Sequence, residues 1–347
     1  MADEPALRGL AVTRDGRSVL AVRAAGNARQ ILAIPTSGHS PVRNLLPLTQ
    51  GLEALDSTPD GGLYLDQFET TVELMSFPVA GGRAEKIAEF SSSLGQLDNR
   101  MGVLPDGRAM CRMILGGRPR LVAIDKDKGP VPLVNTTEDT AAPFTRVGSK
   151  EVAFLIGPAP RRTIATAAIS NGRITRRIPF DKGTISALAS SPDGNTLHCA
   201  ANGTVWSIPL GGGDAKKVHA GDTIAVYPSG RTLVVQLTEA DKQRFVRVSL
   251  TGGADQEIPV TGSLQPVYGI APDALGKDNR LLTPVASLNA WDYPPAEVDL
   301  VTGRISVIPV DHPGDYSMMA WTPDGQRVLA LVFALRSSIW RFTPERP

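Results

Sequence analysis

Tight turns recur along the chain at a nearly constant spacing, and this recurrence limits the possible folds more than any other feature. The turn glycines are Gly16, Gly61, Gly107, Gly148, Gly194, Gly230, Gly276 and Gly325. Successive glycines are therefore 45, 46, 41, 46, 36, 46 and 49 residues apart. A repeat of about 45 residues is typical of one β-propeller blade.

The residues around these glycines explain why the chain reverses there. Clear copies are Thr58-Pro59-Asp60-Gly61 and Ser191-Pro192-Asp193-Gly194, and an expanded copy is Pro272-Asp273-Ala274-Leu275-Gly276. Proline presets φ at the first corner, aspartate bonds its own backbone, and glycine accepts a positive φ. Short apolar β-rich runs flank each turn. A second turn, such as Ser37-Gly38, follows about 20 residues later, so each repeat predicts four strands.

The fold class predicted from this pattern is all-β: one β-propeller domain over residues 1–347, with about eight four-stranded blades and seven as the alternative. The predicted blades lie near residues 7–48, 51–90, 97–135, 142–180, 184–219, 222–260, 266–310 and 315–347. The last blade is expected to lack its own outer strand because too few residues follow Phe342. This blade is expected either to stay three-stranded or to be completed by a short N-terminal piece. Because residues 1–6 are too few to supply a convincing strand, we expect an upstream segment to close the ring.

Composition limits the classes of partner. Lys and Arg total 36 against 35 for Asp and Glu, so no global field favours nucleic acid, and no membrane contact by this domain is expected. Hydrophobic residues form 42% of the chain, enough for a large core. Cys111 and Cys199 lie in apparent strands of non-adjacent repeats, so a disulfide is not expected. The sequence leaves the compartment and the oligomeric state open.

Several stretches carry a resemblance to a known family. They include Val205-Trp206-Ser207-Ile208-Pro209 and the terminal Arg336-Ser337-Ser338-Ile339-Trp340-Arg341-Phe342. These segments resemble the C-terminal propeller of bacterial serine/threonine protein kinases, particularly acidobacterial ones. The Pro-Asp-Gly turns also resemble those of TolB-like and WD40-like (PD40) propellers. The resemblance implies a kinase domain as partner within the parent chain and an extracytoplasmic, periplasmic position for this domain.

Catalytic signatures do not occur in the sequence. We find no kinase signature set and no Gly-x-Ser-x-Gly nucleophile elbow. The triple glycine at 211–213 joins two apparent strands and lacks the Lys-Ser/Thr of a phosphate loop. The prediction is a non-enzymatic domain without a cofactor. The alternative is a propeller enzyme of the lyase or lactonase type with a His/Asp site at the channel mouth.

One group of loop residues is a candidate ligand site. His219-Ala220-Gly221-Asp222 and His312-Pro313-Gly314-Asp315 each precede the inner strand of a predicted blade, and the loop between them contributes Trp291, Asp292 and Tyr293. The ligand-binding residues predicted from the sequence are His219, Asp222, Trp291, Asp292, Tyr293, His312 and Asp315. Histidine and aspartate can orient a small ligand or bind a divalent metal. No metal site is assigned, because loops two blades apart need not converge on one ion, and the alternative reading is a repeated loop module.

The function predicted from the sequence is therefore sensing or interaction. We expect a protein, peptide or small molecule to bind on the rim formed by the loops that enter the inner strands and the loops between second and third strands. In the implied parent protein, this domain would report to a serine/threonine kinase domain. An exposed apolar face would instead indicate a scaffold that binds only protein.

Overall fold

The structure is a computed structural model that describes residues 7–25, 28–48, 51–52, 54–91, 97–239, 242–287 and 292–343. Within these ranges every regular element is a β-strand. No helix that could cross a membrane occurs there. The all-β prediction is confirmed.

The chain divides into two compact units. Unit 1 comprises Met1–Thr71, Ser91–Gly95 and Ala334–Pro347, and unit 2 comprises Val72–Phe90 and Gln96–Phe333. Two long strands, β6 (Leu63–Pro78) and β29 (Arg327–Phe342), contribute to both units. The division differs from the single domain predicted over residues 1–347.

Five sheets of unit 2 are each built from four consecutive antiparallel strands. In chain order, the first sheet contains β8 (Leu97–Val103), β9 (Ala109–Leu115), β10 (Arg118–Asp125) and β11 (Gly129–Pro132), and the second contains β12 (Thr140–Val147), β13 (Glu151–Ile156), β14 (Thr163–Ala168) and β15 (Ile174–Ile178). The third contains β16 (Ile185–Ser190), β17 (Thr196–Ala201), β18 (Thr204–Pro209) and β19 (Lys216–Ala220), and the fourth contains β20 (Thr223–Val226), β21 (Thr232–Glu239), β22 (Lys242–Ser249) and β23 (Gln256–Ile258). The fifth contains β24 (Gln265–Pro266), β25 (Arg280–Ala286), β26 (Pro295–Asp299) and β27 (Ile305–Val307). We call these sheets one to five. Alternating apolar residues and turn glycines favour such short strands.

The sixth sheet of unit 2 combines strands from both ends of the chain. Its inner strands are β28 (Asp315–Trp321) and residues 327–333 of β29, and its outer strands are residues 72–78 of β6 and β7 (Glu85–Ser91). The Arg327 guanidinium donates from Nε to Ser76 Oγ at 2.8 Å and from Nη2 to Ser76 O at 3.0 Å. These bonds join the two parts of the sheet.

The inner strands close a ring within unit 2. Strands β8, β12, β16 and β20 pack side by side, β24 contacts β22, and β28 contacts both β25 and β8. Apolar clusters fill the spaces between neighbouring sheets, and the largest contains Phe77, Tyr227, Phe245 and Tyr316. Radial sheets packed face to face in a closed ring are the architecture of a β-propeller, and the fold class is confirmed.

The predicted turns have the expected geometry. Seven of the eight turn glycines have φ between 55° and 87°, and Gly276 in the expanded turn is the exception. In the turn Ser191-Pro192-Asp193-Gly194, the Gly194 amide donates to Ser191 O at 2.9 Å, and Asp193 Oδ1 accepts from the Asn195 amide at 3.0 Å. One of the predicted turns follows each inner strand, so we call that end of unit 2 the turn side and the opposite end the loop side.

Unit 1 contains two sheets. Strands β1 (Leu7–Val12), β2 (Ser18–Ala25), β3 (Ala28–Pro35) and β4 (Arg43–Leu48) form the first, and β5 (Leu55–Ser57) pairs with the first part of β6, which pairs with residues 334–342 of β29. Their apolar core includes Ile31, Leu52 and Leu65. The Arg341 guanidinium lies 5.7 Å from the centre of the Tyr64 ring and pairs with Asp60.

The blade assignments near both ends need correction. Residues 51–90 and 315–347 were predicted as two separate blades, but β6 and β29 run without a turn through the positions where a third strand was expected to begin. Residues 72–78 and Glu85–Ser91 instead complete the sixth sheet of unit 2. The last blade does lack its own outer strand, and an N-terminal piece completes it, although that piece lies later than residue 6. The count of eight blades is not confirmed.

Candidate functional site

On the loop side of unit 2, two of the predicted aspartates accept hydrogen bonds from backbone amides. Asp222, just before β20, accepts a hydrogen bond at Oδ2 from the Thr238 amide at 2.8 Å. Asp315, at the start of β28, accepts one at Oδ1 from the Tyr293 amide at 3.1 Å. Asp222 thus ties the loop that enters β20 to the end of β21, and Asp315 ties the start of β28 to the loop between β25 and β26. These aspartates therefore organise the rim predicted from the sequence.

The two predicted histidines have separate acidic partners. His219 lies on β19, the outer strand of sheet three, with Nε2 3.6 Å from Asp255 Oδ2. His312 Nε2 lies 2.7 Å from Oε2 of Glu73, which is 4% exposed, and His312 O accepts a hydrogen bond from the Tyr316 hydroxyl at 2.9 Å. The structure thus holds the histidines in two different networks.

Aromatic residues lie beside Asp315 on the same side. The rings of Tyr268 and Tyr293 meet edge to face with their centres 5.8 Å apart. Burial, together with the nearby Tyr293 and Asp315, raises the pKa of the Tyr268 hydroxyl. Asp292 is exposed, and Trp291 lies outside the described residues. The binding role of the seven predicted residues stays a prediction.

The described residues also bear on the metal alternative. Among them, no group of three or more His, Cys, Asp or Glu side chains is placed to hold a metal ion. In the described part of the chain, His219 pairs with Asp255 and His312 pairs with Glu73.

A cavity of about 480 Å³ lies on the turn side of unit 2. All six sheets of this unit contribute residues from the ends of their inner strands or from the turns that follow. We call it the turn-side cavity. Its charged and aromatic lining includes Arg146, Asp273, Lys277 and Trp321.

Asp273 links two other sheets within the lining of the turn-side cavity. Its Oδ2 accepts a hydrogen bond from the Val103 amide of sheet one at 3.0 Å, and its Oδ1 lies 3.5 Å from Arg146 Nη2 of sheet two. Burial raises the pKa of the Asp273 carboxyl, against the opposing effects of Arg146 and the Val103 amide. The Asp273 to Arg146 separation exceeds the usual N–H···O range of about 2.7 to 3.2 Å. The guanidinium therefore retains donors for a ligand.

Trp321 provides an apolar wall. Its indole Nε1 donates to Ala274 O at 2.9 Å, and its backbone amide donates to Asp273 O at 3.0 Å. A Cβ at Gly276 would lie 2.9 Å from the indole Cε2, so this position accommodates no larger residue without a shift. The expanded turn thus needs glycine for close packing against the tryptophan rather than for a positive φ.

The interior between the inner strands is nearly filled. A space of only about 20 Å³ lies among residues that include Met101, Phe144, Leu188, Ile270 and Met318. This is about the volume that one water molecule requires. A ligand in the turn-side cavity would therefore meet a packed floor.

Arg146 and Asp273 were not among the site residues predicted from the sequence. Of the predicted residues, those that the structure describes lie on the loop side, where histidines and aromatic residues occur together. The sequence feature that could have identified Arg146 and Asp273 is the turn at 272–276, which is longer than the clear copies of the turn. Its aspartate leaves the ordinary turn geometry and enters the cavity lining.

Comparison with known proteins gives a fold likeness. The chain is similar to the structure of a putative TolB from Agrobacterium tumefaciens, with 13% identity, a TM-score of 0.57, and coverage of 77% of this chain and 99% of that one. It is also matched to TolB from Acinetobacter baumannii, with 17% identity, a TM-score of 0.41, and coverage of 71% and 61%. No protein-family model matches the chain, and no curated protein matches it significantly. The Agrobacterium structure supports the β-propeller fold.

Proposed function

We propose that this chain is a non-catalytic interaction domain and that unit 2 binds its ligand in the turn-side cavity. The observation that carries this proposal is the convergence of all six sheets of unit 2 on one cavity of about 480 Å³ with Arg146 on its wall. Ligand sites are typically concave and mostly apolar, with a few polar groups that fix orientation.

The lining fits that description. Arg146 provides a planar guanidinium suited to carboxylate or phosphate groups. Trp321, Val103 and Leu275 provide apolar surface. Since Asp273 already accepts a hydrogen bond from Val103, it holds the pocket wall in place while Arg146 faces the ligand.

We further propose that the domain acts as the sensor of a bacterial serine/threonine protein kinase. It rests on the sequence resemblance of the segments around residues 205–212 and 336–342. In such a protein, ligand binding by the propeller would be reported to the kinase domain across a membrane. A kinase domain and a membrane-spanning segment in the same open reading frame would support this role, and a different companion domain would contradict it.

A bulky substitution that fills the turn-side cavity tests whether ligands bind there. Pro323 is the exposed second residue of the turn Thr322-Pro323-Asp324-Gly325 and lines the turn-side cavity, whereas Pro105 occupies the same turn position in sheet one and is not among the lining residues. We expect compounds and short peptides found by saturation-transfer NMR to lose binding to Pro323→Trp and to keep it with Pro105→Trp. Ligands that bind both variants equally would exclude this cavity. Loss of binding in Tyr293→Ala alone would favour the loop side.

A further inference from the structure

A row of polar side chains crosses sheet three of unit 2. His198 on β17 lies directly opposite Ser207 on β18, and Ser207 lies directly opposite Lys216 on β19. Residues paired in this way on adjacent antiparallel strands share one face of the sheet. We call these three residues the polar row.

The polar row interrupts an otherwise apolar interface. On the neighbouring positions, Ala189, Ala200 and Val205 pack with Val235 and Val246 of sheet four. Apolar contacts of this kind hold adjacent blades together, because they remove hydrophobic surface from water. Apolar packing between the blades does not explain why histidine, serine and lysine occupy the end of this interface.

The buried histidine is the most informative member of the row. His198 is 2% exposed, and its Nδ1 is buried without a hydrogen-bond partner among the described residues. Burial lowers the pKa of its imidazole to about 4, so the ring is neutral near pH 7. Buried polar groups are nearly always hydrogen-bonded. The unpaired Nδ1 atom of His198 therefore indicates a place where a bound molecule could form a hydrogen bond.

The polar row lines a cavity of about 670 Å³ between sheets three and four, which we call the interblade cavity. Hydroxyl groups and ammonium groups dominate its polar lining: Ser191, Thr196, Ser207, Ser229, Ser249, Thr251, Lys216 and Lys217. No carboxylate of the described residues lies within ion-pair distance of either lysine.

The acidic residue in the lining is already satisfied. Asp193 accepts hydrogen bonds at Oδ1 from Ser191 Oγ at 2.5 Å and from the Asn195 amide at 3.0 Å, and at Oδ2 from Asn195 Nδ2 at 3.0 Å. These bonds lower the pKa of the Asp193 carboxyl and hold its charge within the turn. The two lysines therefore give the cavity a surplus of positive charge.

We propose that the interblade cavity binds a tetrahedral oxyanion, such as phosphate or the phosphate group of a small phosphomonoester. Lys216 supplies charge, Ser207 donates a hydrogen bond, and a ring N–H of His198 donates another from the neutral imidazole. Charge-assisted hydrogen bonds of this type are among the stronger polar contacts in proteins. The interblade cavity shares Ser191 and Pro192 with the turn-side cavity, but His198, Ser207 and Lys216 line only the interblade cavity. The proposal therefore does not depend on the function proposed above.

The experiment measures phosphate binding by ³¹P NMR and by thermal unfolding in a buffer without phosphate, with sodium chloride at equal ionic strength as reference. We expect saturable binding and a rise in melting temperature for the wild type, and about tenfold weaker binding for Lys216→Gln and for Ser207→Ala. Lys150 is exposed and does not line this cavity, so Lys150→Gln should bind like the wild type. Absence of saturable binding, or equal weakening by Lys150→Gln, would overturn the proposal.

His198→Leu separates a binding role from a packing role. Without phosphate, the leucine variant should melt at a higher temperature than the wild type, because it removes an unsatisfied polar atom. With phosphate, the variant should show no further rise. A leucine variant that retains the full phosphate effect would exclude His198 from the site and overturn the proposed ligand set. Methyl phosphate identifies the source of the anion: tighter binding than phosphate supports a phosphomonoester, and equal or weaker binding supports the free anion.

Discussion

The carboxylate of Asp273 accepts a hydrogen bond from the backbone amide of Val103, and the two residues belong to different sheets of unit 2 separated by the sixth sheet in the ring. In an ordinary Pro-Asp-Gly turn, as at Asp324, the aspartate bonds the Thr322 hydroxyl and the Gln326 amide within its own turn. The lengthened turn at 272–276 frees Asp273 from that role. Sheet five thereby becomes linked to sheets one and two at the turn-side cavity.

Asp273 is expected to make the stability of the protein depend on pH. Because burial raises its pKa above the ordinary 3.8, the folded protein binds this proton more tightly than the unfolded chain does. The contribution of Asp273 to the free energy of unfolding therefore falls as pH rises above about 3.8. Urea unfolding of the wild type and Asp273→Asn at several pH values should show the stability advantage of the wild type shrinking with increasing pH. An advantage that grows with pH would contradict the assignment.

Phe77 tests the composite sixth sheet. It lies on β6, is fully buried, and meets Tyr316 of β28 edge to face with ring centres 5.9 Å apart. We expect Phe77→Ala to lower the free energy of unfolding of unit 2 by about 3 to 5 kcal/mol, because a large cavity replaces the ring. Val301 is 69% exposed, and Val301→Ala should change stability by less than about 0.5 kcal/mol. Similar effects of both substitutions in urea unfolding would show that residues 72–78 do not complete this sheet.

The sequence predicted the local structure well because turn chemistry is local. The glycine and aspartate at 193–194 specify a reversal through contacts within a few residues. The pairing of residues 72–78 with 327–333 could not be read in the same way. The edge of any propeller sheet presents similar unpaired backbone N–H and C=O groups to a further strand, so only the whole ring selects which strands pair.

The candidate site was predictable only in part. Asp222 and Asp315 occur in repeated loop motifs, and the structure places both on the loop side, where Asp222 bonds the end of β21 and Asp315 bonds the loop between β25 and β26. His312 was expected beside them, but its partner Glu73 lies 239 residues away along the chain. The contact between His312 and Glu73 forms only when the ring closes, and no local sequence pattern predicts which strands close it.

Gly107 and Gly211 differ in backbone conformation, but at both positions an added Cβ would have open space. Gly107 has a φ of +87°, and a Cβ there would meet nothing within 4 Å. Gly211 also has open space but no left-handed φ. We expect Gly107→Ala to cost about 1 to 2 kcal/mol of stability, because an L-residue is strained at positive φ. Gly211→Ala should leave the urea midpoint unchanged or raise it, and equal losses would contradict the predicted turn geometry.

Cys199 is expected to resist modification in the folded protein. Its side chain lies within β17 with no exposed surface, and burial raises the pKa of its thiol to about 12. The reactive species is the thiolate, so both the ionised fraction and the access of a reagent are low at neutral pH. Iodoacetamide labelling followed by peptide mapping should show Cys199 unmodified under native conditions and fully modified in concentrated urea. Native labelling at the rate of an exposed thiol would mean that the interface between sheets two and three opens readily, which the packing of Cys199 with Leu155 and Ile208 argues against.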